Sequence, residues 1–316
     1  MNHIKTVAVT GAAGLIGSAI VRLLLERGVR VIALDDFTIG AWREKNSGIT
    51  WVQTDISEPQ AAAALDQHAP DVVVHCAAHP GGKSLKEPVL DVRVNALGSM
   101  RIFDWCARAK KPVIFLSTSG VYGEQPRGPI SEDAPIRPGK IYAISKVACE
   151  NFLATLGKGC GLSWTVLRVF ATYGAGHRPS TFQGILNVML TQLQAGDRVV
   201  VRGELERERD MIYADDTADA VVRAVFSPQA RGRIINVGTG RAVTVRAIIA
   251  MIAAAIGKDP AKIELVEEPR EFGDPMYSVA SAALAHEILG FTAKTSIQEG
   301  IDRLLRQRAT APPAES

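Results

Sequence analysis

Thr6-Val7-Ala8-Val9-Thr10-Gly11-Ala12-Ala13-Gly14-Leu15-Ile16-Gly17 is the stretch that decides how this 316-residue chain is read. Its first five residues are short, apolar and β-rich, the pattern of a strand buried on both faces of a parallel sheet. Glycines follow at Gly11, Gly14 and Gly17, and a helical run extends from Ser18 to Arg27. Glycines at a strand-to-helix turn let the backbone approach a pyrophosphate, and the helix N-terminus faces it with free N–H groups. The spacing is Gly-x-x-Gly-x-x-Gly and not the usual Gly-x-Gly-x-x-Gly, so by itself the run is also compatible with a tight turn.

The flanking sequence narrows the choice. Val29-Arg30-Val31-Ile32-Ala33-Leu34 reads as a second strand and ends at Asp35-Asp36, about 20 residues beyond the glycines, as a dinucleotide fingerprint requires. A carboxylate there bonds both hydroxyls of an adenosine ribose and repels a 2′-phosphate. NAD is therefore expected over NADP, with Asp35 as the contact and Asp36 beside it. Two more strand–helix units follow. Trp51-Val52-Gln53-Thr54 leads to Asp55-Ile56, and Val72-Val73-Val74-His75-Cys76-Ala77-Ala78 runs into small residues, which leave room for a ligand at the strand's carboxyl end. His79 lies just beyond, as a surface polar residue or a ligand contact near the nicotinamide. Asn95 is read as opening a long helix to Lys110, either as its cap or as a polar group reaching the cofactor.

Pro112-Val113-Ile114-Phe115-Leu116 is a further parallel strand, ending in Ser117-Thr118-Ser119-Gly120-Val121-Tyr122-Gly123. Hydroxyls at that end can hold a substrate hydroxyl, unless they only terminate the strand. A Pro- and Gly-rich loop then leads to Ile141-Tyr142-Ala143-Ile144-Ser145-Lys146, which opens a helical run ending near Leu156. Residues four apart share a helix face. An ammonium at Lys146 would stabilise the phenolate of Tyr142, lowering a pKa that starts near 10. Such a base can take a proton from an alcohol as its hydride leaves. The spacing is equally that of a solvated helix face.

Composition bounds the rest: 47% hydrophobic and 22% charged residues, with a net charge of +3. That excess suits anionic small molecules and is too weak for nucleic acid. Cys76, Cys106, Cys149 and Cys160 lack metal-ligand spacing and sit in apolar sequence, so buried free thiols in a reducing, cytoplasmic setting are expected. The amino terminus shows no signal-peptide pattern, no apolar run approaches roughly 20 residues, and Ala309–Ser316 reads as a disordered tail.

Taken together, the ordered motifs resemble the extended short-chain dehydrogenase/reductase family, most closely its nucleotide-sugar epimerases and dehydratases. The set runs from Thr10-Gly11-Ala12-Ala13-Gly14-Leu15-Ile16-Gly17 through Asp35, Asp55-Ile56, His75-Cys76-Ala77-Ala78, Asn95-Ala96-Leu97-Gly98 and Ser117–Gly123 to Tyr142-x-x-x-Lys146. Leu167-Arg168-Val169-Phe170, Arg209-Asp210, Asn236-Val237-Gly238 and Ile288-Leu289-Gly290-Phe291 extend the likeness over nearly the whole chain. The resemblance implies Tyr142 as acid/base, Lys146 as its electrostatic partner and ribose ligand, and Thr118 as the catalytic hydroxyl with Ser119 its neighbour. It implies that Leu15 and Ile16 present N–H groups to the pyrophosphate, that Asp55-Ile56 flank the adenine, and that Ala77, Asn95 and Phe170 line the cofactor groove. Arg209 is the implied first diphosphate ligand, since a guanidinium binds phosphate in a charge-assisted, often bidentate way; Arg270 is the candidate for the second, or else a plain surface charge.

Two positions depart from the family pattern. Ala171 stands where an Asn usually touches the substrate, and Gly120 stands where dehydratases carry an acid before Val-Tyr-Gly. Without that acid, redox at one carbon is favoured over water loss.

The expected protein is then an NAD-dependent nucleotide-sugar epimerase acting at C4 through a 4-keto sugar. A net dehydrogenase or ketoreductase, and a non-catalytic NAD-binding protein, use the same motifs. The expected architecture is a doubly wound parallel (Rossmann) sheet from 1–170 and 210–257, with a smaller substrate-binding lobe from 171–209 and 258–308. The resemblance implies a homodimer through the helices after Asn95 and at Tyr142, which offer Ile102, Phe103, Trp105, Val147 and Phe152, residues that internal packing can equally use.

Overall fold

The computed structural model describes residues 4–40, 42–174 and 184–310. The first six strands are β1 (Thr6–Thr10), β2 (Arg30–Asp35), β3 (Ile49–Gln53), β4 (Val72–His75), β5 (Val113–Thr118) and β6 (Trp164–Val169). Next come β7 (Ala171–Tyr173), β8 (Arg198–Arg202), β9 (Glu208–Tyr213) and β10 (Arg233–Val237). The last three are β11 (Ala242–Thr244), β12 (Glu264–Glu268) and β13 (Tyr277–Ser278). Seven of them form one sheet in the order β10-β6-β5-β4-β1-β2-β3, every neighbouring pair parallel. The order reverses between β1 and β4, so the chain leaves these adjacent strands in opposite directions and a crevice opens at their carboxyl ends.

The expected doubly wound sheet is thus the frame of the molecule. All five residues of β1 are buried, because helices cover both sheet faces. Leu15–Glu26 and Ala214–Phe226 pack together on one face, and Pro59–His68, Ser99–Ala109 and Ile141–Cys160 lie on the other. β7, β9, β11 and β13 form a second, smaller sheet, and β8 pairs with β12.

Several local expectations shift. The first helix starts at Leu15 rather than Ser18, because Gly14 takes the extended cap conformation (φ −78°, ψ 176°). Asn95 opens nothing: it lies inside a helical run that begins at Pro88, passes through a π-helical stretch at Val92–Gly98 and continues as Ser99–Ala109. The Tyr142 helix runs to Cys160 and stops at Gly161, whose left-handed backbone (φ 73°) ends it. Cys160 in that last turn is exposed and Cys76 only partly buried, against the expectation of four buried thiols; all four are free.

Packing also crosses the expected division of the chain. Val245–Ala255 buries Val245, Ile248, Ile249 and Ile252 in the core of the smaller lobe with Leu186, Leu190 and Val199. Ala283–Leu289 sends Ala285 and Leu289, with Phe291, into the core of the large sheet beside Val221 and Val225. Apolar periodicity shows that a helix has a buried face, but not which core receives it. The last helix continues to Thr310, and the tail expected from Ala309 otherwise lies outside the described residues.

A buried ion pair ties β6 to the Ile141–Cys160 helix that covers it. Arg168 on β6 grips both oxygens of Glu150 on the Ile141–Cys160 helix at 3.1 and 2.7 Å, and also donates to the Tyr122 hydroxyl at 3.0 Å. Ser117 Oγ at the end of β5 donates to Glu150 at 2.5 Å. Arg168→Met would strand a buried carboxylate, so the unfolding free energy is expected to fall by about 3–5 kcal/mol in a denaturant titration.

Candidate active site

Steric limits shape the turn after β1. Gly11 has a left-handed backbone (φ +67°), and a Cβ there would lie 2.7 Å from the Ala77 nitrogen. A Cβ on Gly17 would run into the Gly11 carbonyl oxygen. At Gly14 it would touch only that oxygen, at 3.3 Å, and otherwise face open space. The helix behind this turn has no side-chain cap and no acid in its first turn, so the N–H groups at Leu15 and Ile16 lack a capping partner. A backbone cradle held open by an absent Cβ, with uncapped donors at its rim, fits the pyrophosphate of a dinucleotide.

Asp35 stands at the carboxyl end of β2, beside the glycine turn. Its carboxylate accepts from Ala13 N at 2.9 Å and Phe37 N at 2.8 Å, fastening the second strand to the glycine turn, and burial pushes its carboxyl up. Asp36 is exposed, its carboxylate spent on the Thr38 amide and hydroxyl. Asp55 accepts from the Ser57 amide and hydroxyl and pairs with Arg93, while Ile56 is buried against Gly98. Ala77 N donates to Thr10 Oγ1 at 3.2 Å, at the mouth of the crevice. Phe170 is buried with Tyr122 behind it.

Asn95 is neither cap nor free polar group. Its amide accepts from His79 N at 2.7 Å and donates to His79 O and Asp91, so it pins the loop after β4. The His79 ring is itself buried, its Nε2 3.2 Å from Glu87.

Thr118 ends β5, and its hydroxyl oxygen accepts from Gly120 N at 3.1 Å, which leaves its proton available to a ligand. A Cβ on Gly120 would sit 3.4 Å from Thr118 Oγ1 and 3.6 Å from the Ala143 Cβ, so the strand end and the start of the Tyr142 helix meet at this glycine. Ser119 Oγ is 3.5 Å from Ser278 Oγ of β13.

Lys146 is fully buried. Its ammonium donates to the Leu116 carbonyl at 2.9 Å and lies 4.6 Å from the Phe115 ring centre and 5.6 Å from that of Tyr142. The expected acidified phenol is not what this arrangement produces. Burial, followed by the charge of Asp91 and then Cys149, pushes the half-buried Tyr142 phenol up, and burial pushes the Lys146 ammonium down. The ammonium is anchored to β5 beneath the ring rather than bonded to the hydroxyl.

The arginines divide. Arg209 is buried, donating to Glu208 O at 2.8 Å, Asp274 at 3.1 Å and Pro275 O at 2.9 Å. Arg207 shares Asp274 from the other side. Arg270 bridges Glu124 and Glu204 and lines a cavity of about 480 Å³ with Gly123, Arg137, Gly139, Phe272 and Asp274. Arg209 and Arg270 are thus brought to one region, around Asp274. Sequence reasoning missed Arg207 and Asp274, and missed Gly81, whose Cβ position lies 3.1 Å from the Tyr142 ring. Asp274 lies four residues beyond Arg270 and could have been weighed with it; nothing local marks Gly81.

Comparisons with known proteins agree with this geometry. The model of the NAD dependent epimerase/dehydratase family matches residues 7–238. A UDP-glucose 4-epimerase of Mycolicibacterium smegmatis is 33% identical, covering 93% of this chain and 95% of that protein. The crystal structure of Thermus thermophilus UDP-glucose 4-epimerase in complex with NAD superposes with a TM-score of 0.88 at 33% identity, covering 97% of this chain and 100% of that one. That of Thermotoga maritima UDP-glucose 4-epimerase with UDP-glucose gives 0.89 at 29%, covering 96% and 98%. The chain belongs to the NAD-dependent epimerase/dehydratase family, and its cofactor is NAD.

His75 bridges this site to the core. It is fully buried between Thr10 Oγ1 at 2.7 Å and Ser99 Oγ at 2.8 Å and stacks on Phe115. Burial, with the Lys146 charge second, lowers its pKa from 6.5 to about 3. The folded state therefore holds the ring neutral while the unfolded chain protonates it near 6.5. Its contribution is complete above pH 6.5 and is lost as pH falls toward 3. His75→Gln is expected to flatten the acid side of the stability–pH curve, measured by denaturant unfolding at stepped pH.

Proposed function

We propose that the protein is an NAD-dependent nucleotide-sugar epimerase that inverts C4 of a UDP-sugar through a transient 4-keto sugar. The observation that carries this reading is the junction at Gly120, where Thr118 and the Tyr142 helix meet beside the crevice of the glycine turn. The similarity to the 4-epimerases described above supports the substrate class. Leu15 and Ile16 N–H groups would hold the pyrophosphate, Asp35 the adenosine ribose, and Lys146 the nicotinamide ribose. Bound there, NAD supplies the hydride acceptor and, after the sugar has turned, the hydride donor.

This chain's own residues handle the proton and the orientation. Thr118 holds the substrate hydroxyl by its free proton. Tyr142 removes the hydroxyl proton as C4 is oxidised and returns it when the ketone is reduced on its other face. The Lys146 ammonium below the ring keeps the phenolate from being isolated in an apolar interior. Arg209 and Arg270 take the diphosphate, exchanging contacts with Asp274 and Glu124 for phosphate oxygens. Gly120 places no acid at the sugar, in keeping with epimerisation and not dehydration.

Purified protein is expected to retain NAD and to convert UDP-glucose and UDP-galactose with none added. A strict need for added cofactor and a net change in nicotinamide absorbance would instead identify the dehydrogenase or ketoreductase. Tyr142→Phe is expected to lower kcat by at least about a hundredfold while leaving NAD content unchanged, which active-site titration and bound-NAD assay check. Full activity in that variant would remove the proposed base.

A homodimer fits an exposed apolar face. Ile102, Phe103 and Trp105 are buried within the subunit, so the face expected from them is unavailable. Val89 (82% exposed), Val92, Leu97 and Ile144 form the uncovered strip instead, on the Pro88–Gly98 run and the Tyr142 helix. Among the described residues no helix is long and apolar enough to cross a membrane, and the four free thiols suit a reducing, cytoplasmic setting. Val89→Asp together with Leu97→Asp is expected to convert a dimer into monomers in light scattering; unchanged mass would reject this face.

A further inference from the structure

A carboxylate that the mechanism does not use lies beneath the candidate base. Asp91 is fully buried in the helical run before Asn95. Three groups converge on it: Ser84 Oγ at 2.5 Å and Asn95 Nδ2 at 2.9 Å on one oxygen, and Ser145 Oγ at 2.7 Å on the other. Asn95 Nδ2 can only donate, and both serine hydroxyls lie at hydrogen-bond distance from the carboxylate.

Two of the donors belong to the segments that enclose the Tyr142 ring, Ser84 to the loop and Ser145 to the helix, and the third, Asn95, follows Asp91 in its own helical run. Ser84 ends the short helix Gly81–Ser84, and its hydroxyl also reaches the Pro80 carbonyl at 3.2 Å. Asn95 fastens the same loop at His79 through both its amide and its carbonyl. Between these two ties lies Gly81, whose missing side chain lets the loop backbone pack on the phenol ring, a Cβ there standing 3.1 Å from Cγ and Cδ1. Ser145 sits one turn after Tyr142, its hydroxyl 2.9 Å from the Tyr142 carbonyl. One carboxylate therefore holds both the loop that bears on the ring and the backbone that carries it.

We infer that Asp91 is the positioning residue of the base: it clamps the Gly81 loop and the Tyr142 helix around the phenol. The inference rests on Tyr142 being the acid/base group. The buried negative charge of Asp91, bonded to the helix turn that carries the ring, opposes phenolate formation and makes the phenolate, once formed, a stronger base. It also offsets the buried Lys146 ammonium. The other titratable groups around the ring are Lys146 and Cys149 on its own helix, with Glu150 paired to Arg168 beyond them. Cys76 and His75, at the end of β4, feel the charge of Lys146, and His79 with Glu87 lies in the segment that carries the Gly81 loop. Only Asp91 among them is a carboxylate bonded to both enclosing segments.

The test uses the NAD-loaded full chain and Asp91→Asn. Tyr142 ionisation is read as the ultraviolet phenolate difference between each protein and the same protein carrying Tyr142→Phe, and turnover is read with UDP-glucose. Asp91→Asn is expected to move the phenolate titration and the acidic limb of the kcat profile to lower pH by about one unit. Tyr142 ionises more readily but is held less well, so kcat falls about tenfold or more while KM and NAD content stay near wild type. Ser84→Ala and Ser145→Ala keep the charge and each remove one arm; both are expected to lower kcat without moving either titration.

An unmoved titration in Asp91→Asn overturns the inference even if kcat falls, since loss of packing alone would do that. If Asp91→Asn does not fold, wild-type kcat in both serine variants overturns it, and a kcat loss at constant KM upholds it. Full activity in Tyr142→Phe would be a different failure, that of the base itself.

Discussion

A buried ammonium must be held by whatever surrounds it, and the part of this molecule around β5 and the Tyr142 helix is built around that requirement. Lys146 has left water almost completely. Its proton goes to the Leu116 carbonyl, its charge sits over the Phe115 ring, and the Asp91 and Glu150 carboxylates supply the opposing field. Removing such a charge from water costs several kcal/mol unless bonds and counter-charges replace the hydration. The Leu116 bond also fixes the helix to β5 one residue pair before Thr118, so the same contact that shelters the charge sets the spacing of phenol and hydroxyl.

The network continues on both sides. Below, Glu150 joins Ser117 to Arg168, and Arg168 joins Tyr122, whose hydroxyl donates to Asn236 on β10. Above, Asp91 and Asn95 tie the loop after β4 to the helix. Across the crevice, Asp210 accepts from Thr239, Gly240 and Ala280, binding the smaller lobe to the edge of the large sheet. Asp274 gathers Arg207 and Arg209 in that lobe. Buried polar groups of this kind are costly when half satisfied, so they fix one arrangement of the two lobes.

The expectation that met the most resistance was a phenol made acidic by its neighbour. Helical spacing correctly put Tyr142 and Lys146 on one face, but spacing carries no information on burial. The interior disfavours phenolate more than the distant ammonium favours it, and Asp91, unmarked in the sequence, adds to the opposition. Asn95 and Arg209 were similar cases. In each, the polar atoms expected to meet a ligand are engaged, by the His79 backbone and by Asp274.

From sequence alone came the parallel sheet, the glycine turn, the acid at Asp35 and the phenol–ammonium pair, because each rests on short-range rules: strand composition, steric need for glycine, and helical periodicity. Tertiary structure alone decided which core receives the Val245–Ala255 and Ala283–Leu289 helices, that Gly81 bears on the Tyr142 ring, and that Asp91 joins three segments. Those facts depend on contacts between residues far apart in the chain, and on how much water remains around each charge. No local pattern encodes either.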